Sequence, residues 1–227
     1  WDASGKLIKA AAEVDGVAYE KLEEALAAAE GKTVKLMQDI ELSKELDIAG
    51  KLTLDLNGFT LKAGDGFAAP KGAVIGVKHG GDLTVMDSSS PSTGKIDANG
   101  KTYAAVIMVP KGDTDDTKTA KFTLESGSLY GQFFGICGNG NDGRGNTEIV
   151  ISGGAVYGNA DTTHNDNLGI YNPQQNSKVT VTGGEITGYA SGIEMRSGAL
   201  TVTGGKITFL VEHGKSVTKG QVVASIA

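Results

Sequence analysis

The side chains that could do chemistry fall in three polar stretches. DTDDT (113–117) gathers Asp113, Asp115 and Asp116. Clustered carboxylate oxygens suit Ca²⁺, so calcium is the cation this stretch would take. It lacks the ligand spacing of an EF-hand, and a solvated loop is the plainer reading. NADTTHNDN (159–167) adds Asp161, His164 and Asp166, which together form a metal-ligand palette. GNGNDGRGN (138–146) sets Asp142 near Arg144 among four glycines, without the Lys or the Ser/Thr of a phosphate-binding loop. As a catalytic set, Asp142, Asp161 and Asp166 would be the acids, and Arg144, Arg196 or Lys178 the base. Hydrolysis of a glycoside needs two carboxyl groups about 5–9.5 Å apart. Nothing in the spacing fixes such a distance.

Tyrosines offer a different chemistry. Tyr130 and Tyr157 close the equivalent segments SLYG and AVYG, and Tyr171 and Tyr189 follow in the next segments. Exposed stacked aromatics suit sugar rings, whereas a stack turned inward would fill a corner of the core. Cys137 and Phe133–Phe134 read as core.

These residues must be held by short strands. Gly occurs 34 times and Pro only 4 times, among many Thr, Val and Ile, a pattern of short strands and tight turns. Residues 17–30 (VAYEKLEEALAAAE) carry Leu22, Ala25, Leu26 and Ala29 on one face and predict a helix that Gly31 ends. After it the period changes to two. KLTLDLNGFTLKA (51–63) alternates around the turn dipeptide Asn57-Gly58. From residue 73 two elements recur. One is AVIGV, AVIMV, GICG, GIYN and GIEM; the other ends in LTVMD, FTLES, IVISGG, VTVTGG and LTVTGG. Ile75, Ile107, Ile136, Ile170 and Ile193 predict one inward column, and Val85, Leu124, Val181 and Val202 another. Thr180, Thr182, Thr201 and Thr203 would face outward. Constant strands with variable connections are the mark of a solenoid. The connections 111–121, 138–147 and 159–167 predict one loop-bearing face. The fold class is all-β, a right-handed parallel β-helix over residues 1–207, closed at its start by the helix 17–30.

The formal net charge is −6 and only two Arg are present, which argues against nucleic acid as a partner. Cys137 stands alone, so no intrachain disulfide can form. No apolar run is long enough for a spanning helix. The chain opens on Trp1 without Met and reads as a mature or excised fragment.

AYEKLEEALAAA (18–29), LTLDLNGFTL (52–61), LTVMD (83–87), VTVTGGEITG (179–188) and LTVTGGKI (200–207) together resemble the pectate-lyase-like β-helix module of secreted and cell-wall-attached proteins of Gram-positive bacteria. The resemblance covers roughly residues 15–207. It implies an extracellular setting and a role in surface presentation or in binding a glycan or host ligand. It transfers no catalytic residue. The expected function is a non-catalytic, adhesin-like module. The competing expectation is a divergent polysaccharide lyase or glycoside hydrolase. Residues 208–227 leave the repeat, and VEHGKSVTKGQVVASI resembles half of a biotinyl/lipoyl carrier domain. They read as a hairpin cap, as foreign sequence, or as a carrier half completed by another chain, and a hairpin there would also offer a surface for self-association.

Overall fold

A computed structural model describes residues 4–5, 9–69, 71–139, 145–158 and 167–209. The chain winds as a parallel β-helix. Each coil contributes one strand to each of three sheets. The first coil comprises Thr33–Leu36 in the first sheet, Ile40–Leu42 in the second and Leu46–Ile48 in the third. Six coils are complete. A seventh adds Ala199–Val202 to the first sheet and Lys206–Phe209 to the second. Thr208 and Phe209 therefore still belong to the stack. Residues 210–227, which carry the rest of the anticipated cap, lie outside the described residues.

The helix is shorter than the sequence period suggests. It runs only from Leu22 to Ala27 and buries Leu22 and Ala25. Val17–Tyr19 is instead the second strand of an antiparallel hairpin with Ala12–Val14. Asp15 (φ 50°) and Gly16 (φ 80°) make its turn, and both central residues at positive φ are what a tight hairpin requires. Ala12 then pairs antiparallel with Leu36, so the hairpin covers the open edge of the first sheet. The sheet then ends in the three-residue strand Val17–Tyr19, and a short edge strand offers little to pair with.

Among the described residues, all pairing beyond this hairpin is parallel, and like residues stack along the axis. Leu54, Val85, Leu124, Ile151, Val181 and Val202 form one inward column of the first sheet. On the outside, Thr53, Thr84 and Thr123 line up, and Thr180 and Thr201 continue the ladder after Val150. Beside it runs a column of alternating charge: Lys51, Asp82, Lys121, Glu148 and Lys178. Its pairs are exposed and weak, with Lys51–Asp82 at 3.8 Å and Lys121–Glu148 at 3.3 Å. Their value lies in register, because a slip of one residue would turn every inward side chain out.

One column differs from expectation in that way. In the third sheet Val106, not Ile107, stands between Ile75 and Ile136. Ile107 aligns with Gly76 and Cys137 on the outer face. The run AAVIM is apolar throughout, so period alone could not choose its inward residue.

The long connections also leave from more than one corner. Those at 109–119 and 139–146 join the third sheet to the first. The one at 159–167 joins the second sheet to the third, as does 64–72. The loops therefore flank the third sheet on both sides rather than forming a single ridge.

Candidate functional site

The surface between those two corners is the outer face of the third sheet. Its composition changes along the axis. Glu45 and Asp47 stand at the first coil, Gly76 at the second, Ile107 at the third, Cys137 at the fourth, Tyr171 at the fifth and Glu194 at the sixth. Ala73, Ala104, Ile107 and Cys137 form a small buried apolar cluster separate from the main core, with Phe134 and Tyr171 packed against it. Cys137 and Phe134 thus belong to this outer layer rather than to the core. Burial, with Glu45 nearby, pushes the Cys137 thiol far above its ordinary pKa. A thiol held protonated is a poor nucleophile.

Toward the far coils the face becomes aromatic. The Phe134 and Tyr171 rings stack at 5.4 Å with 22° between their planes. The Arg196 guanidinium lies 5.5 Å from the Tyr171 centroid, and its Nε donates to Glu194 at 2.8 Å. Phe133 meets Phe134 at 6.4 Å and Tyr103 edge-on at 4.7 Å. Tyr103, Phe133, Phe134 and Tyr171 therefore make a half-buried strip across three coils.

Toward the near coils the face carries a carboxylate pair. Glu45 Oε2 accepts the Ala73 N–H at 2.7 Å, and Asp47 pairs with Lys78 at 2.7 Å. Glu45 Oε1 and Asp47 Oδ1 each lie 3.0 Å from the point a Cβ on Gly76 would occupy. The two oxygens are therefore no more than about 6 Å apart, within the range of direct interaction between two carboxyl groups. Burial and then Asp47 raise the Glu45 pKa, against the Ala73 N–H and Lys78. One carboxyl with a raised pKa thus stands beside another that pairs with a cation. In KELDI, Glu45 and Asp47 alternate with the inward Leu46 and Ile48. That period-two signal was present in the sequence, but the segment was too short to stand out as a strand.

The other anticipated residues are distributed as follows. Tyr130 and Tyr157 do pair, at 4.8 Å and 21°, but on the outer face of the second sheet. Tyr130 is 39 % exposed, so the stack does not fill a core corner. Each ring spends one face on the other, and Lys95 Nζ stands 5.7 Å over Tyr130. Tyr189 sits half-buried between Gly188 and Ser191, in the turn from the second sheet to the third. The four tyrosines are not one platform.

Asp113 turns inward, accepting the His79 N–H at 2.7 Å and facing its Nδ1 at 3.2 Å. His79 Nε2 meets the Gly145 carbonyl at 3.0 Å, so the buried ring ties two loops together. Burial would raise the Asp113 pKa, but bonds from His79 and the Asp115 N–H outweigh it and hold it below the usual value. Asp115 accepts the Thr117 hydroxyl at 2.5 Å and pairs with Lys118 at 3.4 Å. The Asp116 carbonyl accepts from the Asn146 side chain. Among the described residues, no three His, Cys, Asp or Glu side chains are grouped as a metal site requires. Asp142, Arg144, Asp161, His164 and Asp166 lie outside the described residues. Compared with protein-family models, with curated proteins and with solved structures, the chain shows no match to any.

Proposed function

We propose that the chain is a non-catalytic, surface-presenting β-helix module that takes an extended glycan along the outer face of its third sheet. The observation that carries this reading is the strip Phe134–Tyr171–Arg196, lying on the sheet that the long connections flank. Sugars bind through their C–H faces on aromatic surface and through hydroxyls to a few polar groups. Here Glu194 and Arg196 supply the polar groups. From Phe134 to Glu194 these rings and polar groups span the fourth to sixth strands of the sheet, a track of about 10 Å at the usual spacing. The resemblance to secreted bacterial β-helix modules supports an extracellular setting. A glycan array should give a signal with the wild type. Tyr171→Ala should weaken it at least tenfold, about 1.4 kcal/mol, while Tyr130→Ala on the neighbouring face should not. Silence on the array, or equal loss from both variants, would discard the reading.

A second reading, a polysaccharide hydrolase, is favoured by the Glu45–Asp47 pair alone. It expects new reducing ends from acidic or neutral polysaccharides. Glu45→Gln should then lower the rate by about 10²–10⁴-fold and leave glycan binding at Tyr171 intact. If wild type and variant release the same amount, the pair is not catalytic.

A further inference from the structure

Three buried side-chain oxygens near the corner between the third and first sheets have no hydrogen-bond partner: Thr147 Oγ1, Asn172 Oδ1 and Gln174 Oε1. Their residues are 2 %, 0 % and 0 % exposed. The opposite end of each amide is fixed. Asn172 Nδ2 donates to Ser177 Oγ at 2.6 Å and to the Ser197 carbonyl at 3.0 Å. Gln174 Nε2 donates to the Met108 carbonyl at 3.1 Å, two coils earlier. Both nitrogens already face acceptors, so turning either amide around would lose bonds.

Register sets the three residues on adjoining segments of this corner. Met108 aligns with Gly138, and Asn172 with Met195, in a single inward column that lacks a side chain at Gly138. Gln174 reaches Met108 past that gap, and its Oε1 lies 2.3 Å from the point a Gly138 Cβ would take. Thr147 opens the strand that follows Gly138 in the chain. Its neighbour Glu148 pairs with Lys178, which sets Thr147 beside Ser177, the residue that holds Asn172.

We propose that this corner binds one internal water molecule. It donates to Asn172 Oδ1 and Gln174 Oε1 and accepts from the Thr147 hydroxyl. Three bonds are the usual complement of a buried water. The donor balance is complete: two oxygens that can only accept, and one hydroxyl that can donate. A cation is the poorer match, because none of the three ligands is charged and a hard cation seeks carboxylates. The water joins the first strand of the fifth coil, at Thr147, to the end of that coil's third strand, at Asn172 and Gln174.

Thr147→Val tests the water by removing only the hydroxyl. In a dry corner that hydroxyl would be a buried group without a partner, and its loss would leave stability unchanged or raise it. With the water in place, its loss lowers the Tm by about 2–4 °C. Oxygen-17 relaxation dispersion should show one slowly exchanging water fewer in Gln174→Met than in the wild type. The wild-type Tm should be the same in sodium, potassium and choline chloride at equal ionic strength. An unchanged or raised Tm for Thr147→Val, equal water counts, or a Tm that follows the cation would each overturn the proposal.

Discussion

Asp87→Asn should cost the fold about 3 kcal/mol and lower the Tm by roughly 6–12 °C. Asp87 directly follows the first-sheet strand of the third coil, Asp82–Met86, and is 6 % exposed. One oxygen accepts from the Gly58 N–H at 2.7 Å and from the Ser89 hydroxyl at 2.9 Å. The other accepts from the Gly94 N–H at 2.6 Å and the Ser92 hydroxyl at 2.8 Å. The carboxylate thus organises the connection 88–93 and clamps the Asn57-Gly58 turn of the coil before. Asp55 holds that same turn from its own coil, through the Asn57 N–H at 2.9 Å. An amide of identical shape turns one acceptor into a donor. It would place an N–H₂ against the Gly58 or the Gly94 N–H, neither of which can accept. Leaving buried donors unpaired costs more than the bonds themselves contribute.

The same residue gives the stability a pH dependence. Burial pushes the Asp87 pKa up, but the bonds from Gly94, Ser92 and Ser89 outweigh it and hold the folded value below the ordinary one. A depressed folded pKa adds stability that is present above the unfolded value, near 3.9, and is lost as pH falls through and below it. Wild type should therefore lose stability on acidification below about pH 4. Asp87→Asn should show a shallower acid loss on top of its lower plateau. Asp113 shifts in the same direction, so some acid dependence should remain. Urea titrations between neutral pH and pH 3 would read both effects. Parallel curves for the two proteins would exclude Asp87 as an acid-labile group.

How much of this could be read from residues alone follows from the physics of each element. Stacked coils repeat their chemistry, so the column Val85, Leu124, Val181 and Val202 was legible by matching segments. So was the outward Thr ladder. Ile107 was not, because a strand apolar on both faces has no period to read. The hairpin at Ala12–Val14 was signalled by Asp15-Gly16, but the helical spacing that begins at Leu22 masked it. The loops were legible as insertions, yet which corner each leaves depends on counting strands per coil, and short strands such as Lys95–Asp97 hide that count. Glu45, Asp47 and Asp87 were the hardest to recognise. A single carboxylate beside an inward strand residue looks like any solvated acid until the next coil supplies its donors.

The turn from the second sheet to the third sets the largest expected effect, which is Gly131→Ala. A Cβ there would lie 1.6 Å from the Phe134 carbonyl oxygen. That carbonyl cannot move away freely, because the Phe133 and Phe134 N–H groups both bond the Tyr103 carbonyl of the coil before, at 2.9 and 3.2 Å. The strain is steric and belongs to the backbone, so no side-chain rotation relieves it. Gly158 and Gly188 repeat the arrangement against Leu168 and Ser191, at 2.1 and 1.9 Å. Ala98, in register with Gly131 one coil earlier, shows that the sheet itself does not demand glycine here. The demand comes from the carbonyl that opens the third-sheet strand. In a solenoid each coil is stabilised mainly by its neighbours, so the position along the axis should set the outcome. Gly131→Ala disrupts a middle coil and should cost more than about 4 kcal/mol, a range reserved for such clashes. Gly188→Ala has only the seventh coil beyond it and should lower the Tm while the rest stays folded. Ala98→Gly should cost no more than about 1 kcal/mol. Circular dichroism melts of the three variants would rank them in that order. A Gly131→Ala protein that melts beside wild type would mean that the corner can open without loss, and that the carbonyl does not fix the turn.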